Sequence, residues 1–173
     1  LKIALSQLNF HIGNFEQNKA KIIADIHKAE KAGADLVVFS ELAISGYPPR
    51  DFLEFRDFVN KGLQAVDEIA THCTKIAAIV GVPTYNPHKK GKPLYNSAAF
   101  LWQGKVQQTV HKTLLPNYDI FDEYRYFEPN NRFEVVTFKG KKIALTICED
   151  IWDVDENPLY TINPMDELMV HHP

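Results

Sequence analysis

Asp35-Leu36-Val37-Val38-Phe39 is a short, unbroken apolar run, preceded by Gly33 and closed by Ser40-Glu41. A strand with one wet face alternates apolar and polar residues. A run without alternation suits a strand buried on both faces, as in a parallel sheet. Working backwards, Lys2-Ile3-Ala4-Leu5-Ser6-Gln7-Leu8 reads as a first strand, and Phe15 to Ala32 sets Ile22, Ile23, Ile26 and Ala29 at helical spacing. Gly33 stops that helix. Strand, helix, strand in this order predicts a crossover unit and an α/β fold.

Working forwards, Gly46-Tyr47-Pro48-Pro49 cannot continue regular structure, and a second helical pattern follows with Phe58, Leu63, Val66, Ile69 and Ala70. The next strand is expected over Ile76 to Val82, and Lys89-Lys90-Gly91-Lys92 reads as a turn. One hairpin is predicted from Leu94 to Trp102 and Val106 to His111 across Gln103-Gly104-Lys105. Another is predicted from Phe133 to Phe138 and Lys142 to Cys148, turning at Lys139-Gly140-Lys141. Between them, Thr113 to Arg132 is long and irregular, and long loops in compact domains often carry function. Internal repeats, low-complexity tracts and interdomain linkers are not evident, so 1–173 is read as one domain.

With 173 residues and 45% apolar content the chain can bury a core. Its net charge of −3 and scattered Lys and Arg give no electrostatic reason to expect nucleic acid. No apolar stretch approaches the roughly 20 residues that span a bilayer, and no signal-peptide order opens the chain, so a soluble, cytoplasmic protein is expected without membrane partners. The cysteines, Cys73 and Cys148, are far apart and lack metal-ligand or disulfide spacing, so reduced thiols and no metal site are expected.

Glu41, Lys112 and Cys148 each fall where a predicted strand runs out, which is where α/β folds place ligand crevices. In Lys141 to Trp152 an apolar run delivers the cysteine into Glu149-Asp150, an acidic pair read as marking where the chain leaves the core. A carboxylate can take the thiol's proton as sulfur attacks a carbonyl carbon, and a fixed ammonium can stabilise the oxyanion that forms. Glu41 suits the base, Lys112 the oxyanion partner and Cys148 the nucleophile. Each also has an ordinary explanation: a buried small apolar residue for the cysteine, a solvated strand end for the glutamate, a surface charge for the lysine.

The text around each residue resembles the nitrilase (carbon–nitrogen hydrolase) superfamily. Phe39-Ser40-Glu41-Leu42-Ala43-Ile44-Ser45-Gly46-Tyr47-Pro48-Pro49 is similar to its glutamate motif, His111-Lys112-Thr113-Leu114-Leu115-Pro116 to its lysine motif, and Leu145-Thr146-Ile147-Cys148-Glu149-Asp150 to its cysteine motif. The resemblance implies that Glu41, Lys112 and Cys148 take those same three roles. Three further segments resemble the amide-hydrolysing domain of glutamine-dependent NAD synthetases: Gly46 to Leu53, Leu115 to Phe127, and Cys148-Glu149-Asp150-Ile151-Trp152.

That finer resemblance implies hydrolysis of the glutamine amide. The ammonia released would serve ATP-dependent conversion of deamido-NAD to NAD in a separate synthetase domain, with ATP and magnesium as that domain's requirements. It implies Glu123 as a supporting catalytic residue, and Tyr118, Trp152 and Tyr47 as substrate-binding residues. It also implies a homo-oligomer with glutamine and the synthetase domain as partners. No Gly-x-x-x-x-Gly-Lys or Ser-Gly-Gly phosphate loop occurs in the sequence, so ATP is not expected to bind this chain. The implied fold is a four-layer α-β-β-α sandwich, of which the chain covers roughly the first two-thirds, leaving it C-terminally incomplete with an exposed sheet edge. A stand-alone amidase or N-carbamoyl hydrolase, or an inactive fragment that needs partner surface, are the competing readings.

Overall fold

Asn14 starts the first helix, its side-chain oxygen accepting the Gln17 N–H at 3.2 Å and so satisfying one of the amides that a helix start leaves over. In the computed structural model, which describes residues 1–152 and 160–173, this helix α1 runs Phe15–Lys31 and gives way at Gly33, whose φ is +72°. It joins β1 (Ile3–Leu5) to β2 (Leu36–Val38), and the two strands pair in parallel with Ile3 opposite Leu36. The predicted crossover is therefore present. β2 pairs in parallel with β3 (Ala77–Tyr85), which runs past the Val82 expected from sequence. With β4 (Leu94–Trp102) and β5 (Lys105–His111) the sheet has the order β1-β2-β3-β4-β5.

Lys105 belongs to β5, so the turn narrows to Gln103-Gly104, both at positive φ (55° and 79°), as a tight two-residue hairpin connection requires. β3 is buried from Ala77 through Pro83 and β4 from Leu94 through Leu101, so both central strands lack a wet face. α1 buries Phe15, Asn18, Ile22, Ile26 and Ala29 along one stripe. The second helix, α2 (Arg56–Ala70), packs against it, with the Phe15 and Phe58 rings edge to face at 4.9 Å. Leu63 of α2 is only half-buried, whereas Gly62 is buried in its place. At the β1 edge of the sheet, Ile3 and Leu5 are 49% and 79% exposed.

The chain divides into two compact units, Leu1–Thr84 with Asn96–Thr109, and Tyr85–Tyr95 with Val110–Pro173. The sheet core and both long helices belong to the first. In the second, β6 (Val136–Phe138) and β7 (Lys141–Ile143) pair antiparallel, with Val136 opposite Ile143. This hairpin is shorter than its apolar sequence suggests, because the ladder ends at Ile143 well before Cys148. The stretch from Thr113 to Arg132 contains one 3-10 turn, Glu123–Arg125. A short helix α3 (Pro164–Met169) opens on proline, with Asn163 capping the Met165 N–H at 3.0 Å. Among the described residues no helix is long and apolar enough to cross a membrane.

Candidate active site

Glu41 sits on the turn that follows β2, and steric closeness positions that turn. A Cβ placed on Gly81 of β3 would lie 2.3 Å from the Leu42 nitrogen, 2.6 Å from the Ser40 oxygen and 2.8 Å from the Glu41 carbonyl carbon. Only glycine lets the Glu41 turn lie directly on that strand. The Ile44 N–H donates to the Gly81 oxygen at 3.2 Å, and the Phe39 N–H to Ile79 at 3.0 Å. Asn18, fully buried on α1, donates to the carbonyls of His11 (2.8 Å) and Ile44 (3.0 Å) and accepts from the His11 N–H (3.0 Å). At Gly46, with φ +76°, a Cβ would sit 2.7 Å from the Ile12 backbone. The Glu41 carboxylate accepts a 2.7 Å hydrogen bond from the buried Asn96 amide. Tyr47, half-buried, precedes a cis bond to Pro48.

Lys112 and Cys148 lie in the second unit, and there the organising groups are buried carboxylates. Lys112 is 0% exposed, and its ammonium is bracketed by both oxygens of Glu123 at 3.0 and 2.9 Å. Glu123 is itself buried on its 3-10 turn. An ammonium taken out of water needs such a partner, since an unpaired buried charge costs several kcal/mol by general experience. The surface-charge explanation for Lys112 therefore does not apply.

Cys148 heads a 3-10 turn, Cys148–Ile151, rather than ending a strand, and it holds the left-handed backbone conformation at φ +49°. Its thiol is exposed. Cys73, by contrast, is fully buried, and burial pushes its thiol up to about 12. Nor does the acidic pair after Cys148 mark an exit to solvent: Glu149 and Asp150 are 2% and 3% exposed. One Asp150 oxygen accepts the N–H groups of Thr113 (2.9 Å) and Leu114 (2.8 Å), and the other accepts the Ile147 N–H at 3.2 Å. Burial raises the Asp150 carboxyl above its ordinary range, while the N–H groups of Leu114, Ile147 and Thr113 and the Lys112 charge pull it back.

Glu149 accepts from the Tyr118 hydroxyl at 2.8 Å and from the Tyr160 hydroxyl. Tyr118 is pushed up to about 12, chiefly by burial, then by its hydrogen bond to Glu149 and the negative charges of Glu149 and Cys148, with Lys112 opposing. Burial and the Glu149 hydrogen bond raise Tyr160 as well. Tyr118 thus feels Lys112 and Cys148 together. Trp152 closes the Cys148 turn with its N–H on the Glu149 carbonyl at 2.9 Å, and its residue surface is 51% exposed. A cleft of about 400 Å³ opens beside the segment after Lys112, with Thr113, Leu114, Leu115, Asn117 and Tyr160 in its wall.

Sequence reasoning missed Asn18, Asn96, Asp150 and Tyr160 as supports. Asn18 carried a usable signal, because it interrupts the apolar stripe between Phe15 and Ile22, and a polar side chain there needs buried partners. Asp150 carried none that local sequence shows, since its partners at Thr113 and Leu114 lie 37 and 36 residues upstream.

The sequence profile described as carbon-nitrogen hydrolase matches residues 2–158. The chain is 44% identical over 155 residues to a glutamine-dependent NAD(+) synthetase of Xylella fastidiosa, covering 88% of this chain and 28% of that protein. It is 39% identical over 175 residues to the enzyme so named from Synechocystis sp., covering 96% and 31%. A solved glutamine-dependent NAD+ synthetase from Acinetobacter baumannii, in complex with ADP, superposes with a TM-score of 0.85 at 34% identity, covering 98% of this chain and 30% of that one. The chain spans about three-tenths of the length of these relatives and matches their N-terminal part.

Proposed function

This chain belongs to the carbon-nitrogen hydrolase family and has a nitrilase-like α/β fold, and from that premise we propose that it hydrolyses the side-chain amide of glutamine. Cys148 is the nucleophile, Glu41 the general base and acid, and Lys112 the stabiliser of the oxyanion. The observation that carries the proposal is the Cys148 turn. The exposed one of the two thiols stands on a left-handed backbone position, and the next two residues turn buried carboxylates to the lysine segment and to Tyr118.

Glu41 takes the thiol proton as the sulfur attacks the amide carbon. Negative charge moves to the carbonyl oxygen, where the Lys112 ammonium, itself fully buried, opposes it. The carbon–nitrogen bond then breaks, ammonia leaves with the proton returned by Glu41, and a thioester remains on Cys148. Water attacks that thioester, Glu41 accepts its proton, and glutamate departs as the thiol is restored. Glu123 supports the reaction by holding Lys112, and Tyr118, Trp152 and Tyr47 serve as substrate contacts.

The similarity to glutamine-dependent NAD(+) synthetases supports a destination for the ammonia. It would amidate deamido-NAD to NAD in a synthetase domain of the same protein, in a homo-oligomeric cytoplasmic enzyme. Residues 1–173 are then the front part of its glutaminase domain. ATP and magnesium would belong to the synthetase domain, and no step assigned to this chain passes through them.

The test is glutamine-dependent and ammonia-dependent NAD formation by the full-length protein, with and without Cys148→Ala. Loss of glutamine use with ammonia use retained is the expected result. A variant that still consumes glutamine overturns the assignment, and a wild-type protein that hydrolyses amides but never makes NAD overturns the synthetase link.

A further inference from the structure

We propose that Asp150 is a positioning residue that sets the register between the Cys148 turn and the Lys112 segment. The inference rests on the amidase reading above and adds to it the part that aligns nucleophile and cation. Its carboxylate is the shared acceptor of two stretches of chain. Oδ1 takes the amides of Thr113 and Leu114, the residues directly after Lys112, at 2.9 and 2.8 Å. Oδ2 takes the amide of Ile147, directly before Cys148, at 3.2 Å. The Asp150 N–H in turn donates to the Ile147 carbonyl at 3.2 Å, so the residue just ahead of the nucleophile is held at both its backbone polar groups. The lysine segment is tied on its other side as well, the Asn130 N–H donating to the Lys112 carbonyl at 3.0 Å.

A structural role alone would be met by any group that satisfies these amides. A register role asks for more, namely an acceptor at both ends of one rigid planar group. Asparagine has the same size and shape as aspartate but only one acceptor. Whichever way it turns, it presents an NH₂ either to the Ile147 N–H or to the Thr113 and Leu114 N–H pair, and one of the two ties is lost. Misplacement by about an ångström is enough to slow an enzyme about 10²-fold.

Asp150→Asn in the full-length protein, assayed for ammonia release from glutamine, is expected to lower kcat about 10²-fold with KM for glutamine nearly unchanged. Iodoacetamide labelling supplies a readout that needs no turnover. Cys148 is the exposed one of this chain's two cysteines and Cys73 is buried, and labelling is read by mass spectrometry on the peptide that carries Cys148. Asp150→Asn removes a negative charge near the thiol, which by itself would lower the midpoint of the alkylation pH profile. If Asp150 holds the thiol in the field of Lys112, the midpoint instead rises, because a cation that favours the thiolate has been loosened. A variant with unchanged kcat and an alkylation midpoint that is unchanged or lower, whatever its melting temperature, overturns the proposal.

If the variant does not fold, amide exchange in the wild-type protein decides. Strong and matched protection at Thr113, Leu114 and Ile147 supports the clamp, and rapid exchange at any of the three overturns it. Failure of the wild-type protein to hydrolyse glutamine overturns the amidase reading instead, while the alkylation profile and amide exchange still judge Asp150.

Discussion

The turn carrying Glu41 and the segments carrying Lys112 and Cys148 are fixed by opposite means. Around Glu41 the placement comes from shape: Gly81 and Gly46 where a methyl would collide with backbone, and Asn18 tying a helix to two carbonyls. Around Lys112 and Cys148 it comes from charge, with Glu123 bracketing the ammonium, Asp150 gathering three amides and Glu149 gathering two phenols. Close packing tolerates changes of salt and pH but not of volume. Buried charge tolerates neither the loss of a partner nor its neutralisation.

The largest effect is expected from Glu123→Gln, which leaves the Lys112 ammonium buried beside a neutral amide and costs about 3–5 kcal/mol in chemical denaturation. Adding Lys112→Met sharpens the point. Removing both charges is expected to recover most of that stability, since well-packed apolar residues replace buried ion pairs at little cost, while amide hydrolysis stays abolished. If the double variant is as unstable as the single one, charge is not what organises this region. Next is Gly81→Ala, expected to cost about 3 kcal/mol by overpacking the Glu41 turn and to lower turnover, with the loss unchanged between low and high salt. A salt-dependent loss breaks the contrast. Asn18→Ala follows at about 2 kcal/mol, because it strands the polar groups of His11 and the Ile44 carbonyl without partners.

The smallest effect concerns alkaline pH. In the unfolded chain the Tyr118 phenol ionises near its ordinary 10, whereas in the folded chain it keeps its proton up to about 12. Between those values the unfolded state holds fewer protons, so stability falls as pH rises. Tyr118→Phe is expected to flatten that decline, measured as the slope of denaturation midpoint against pH from 10 to 12. An unchanged slope removes Tyr118 from the charge-organised region.

Much of the shape-organised region could be read directly. The unalternating Leu36-Val37-Val38, the stripe of Phe15, Ile22, Ile26 and Ala29, and the stop at Gly33 each report a local preference that the fold obeys. The charge-organised region was read less well. Leu145-Thr146-Ile147 has the composition of a strand, yet pairing needs a neighbour, and the β6–β7 ladder ends at Ile143. Glu149 and Asp150 read as solvent-facing because carboxylates usually are. What stabilises their burial is, beside the local Ile147 N–H, a set of amides and phenols 31 to 37 residues away, or eleven in the case of Tyr160. Lys112 and Cys148 stood out through the motifs around them, whereas Asp150 acquires its meaning only when its distant partners are seen.

The closed Lys112–Glu123 pair has a consequence for the environments this protein tolerates. Mobile ions weaken attraction between charges they can surround, over a screening length of about 8 Å in physiological saline. Neither member of this pair is reachable by such ions, for both side chains are at most 6% exposed. Brine that dissolves the surface contacts of Lys19 with Glu16 and Glu68 leaves this inner electrostatic landscape intact.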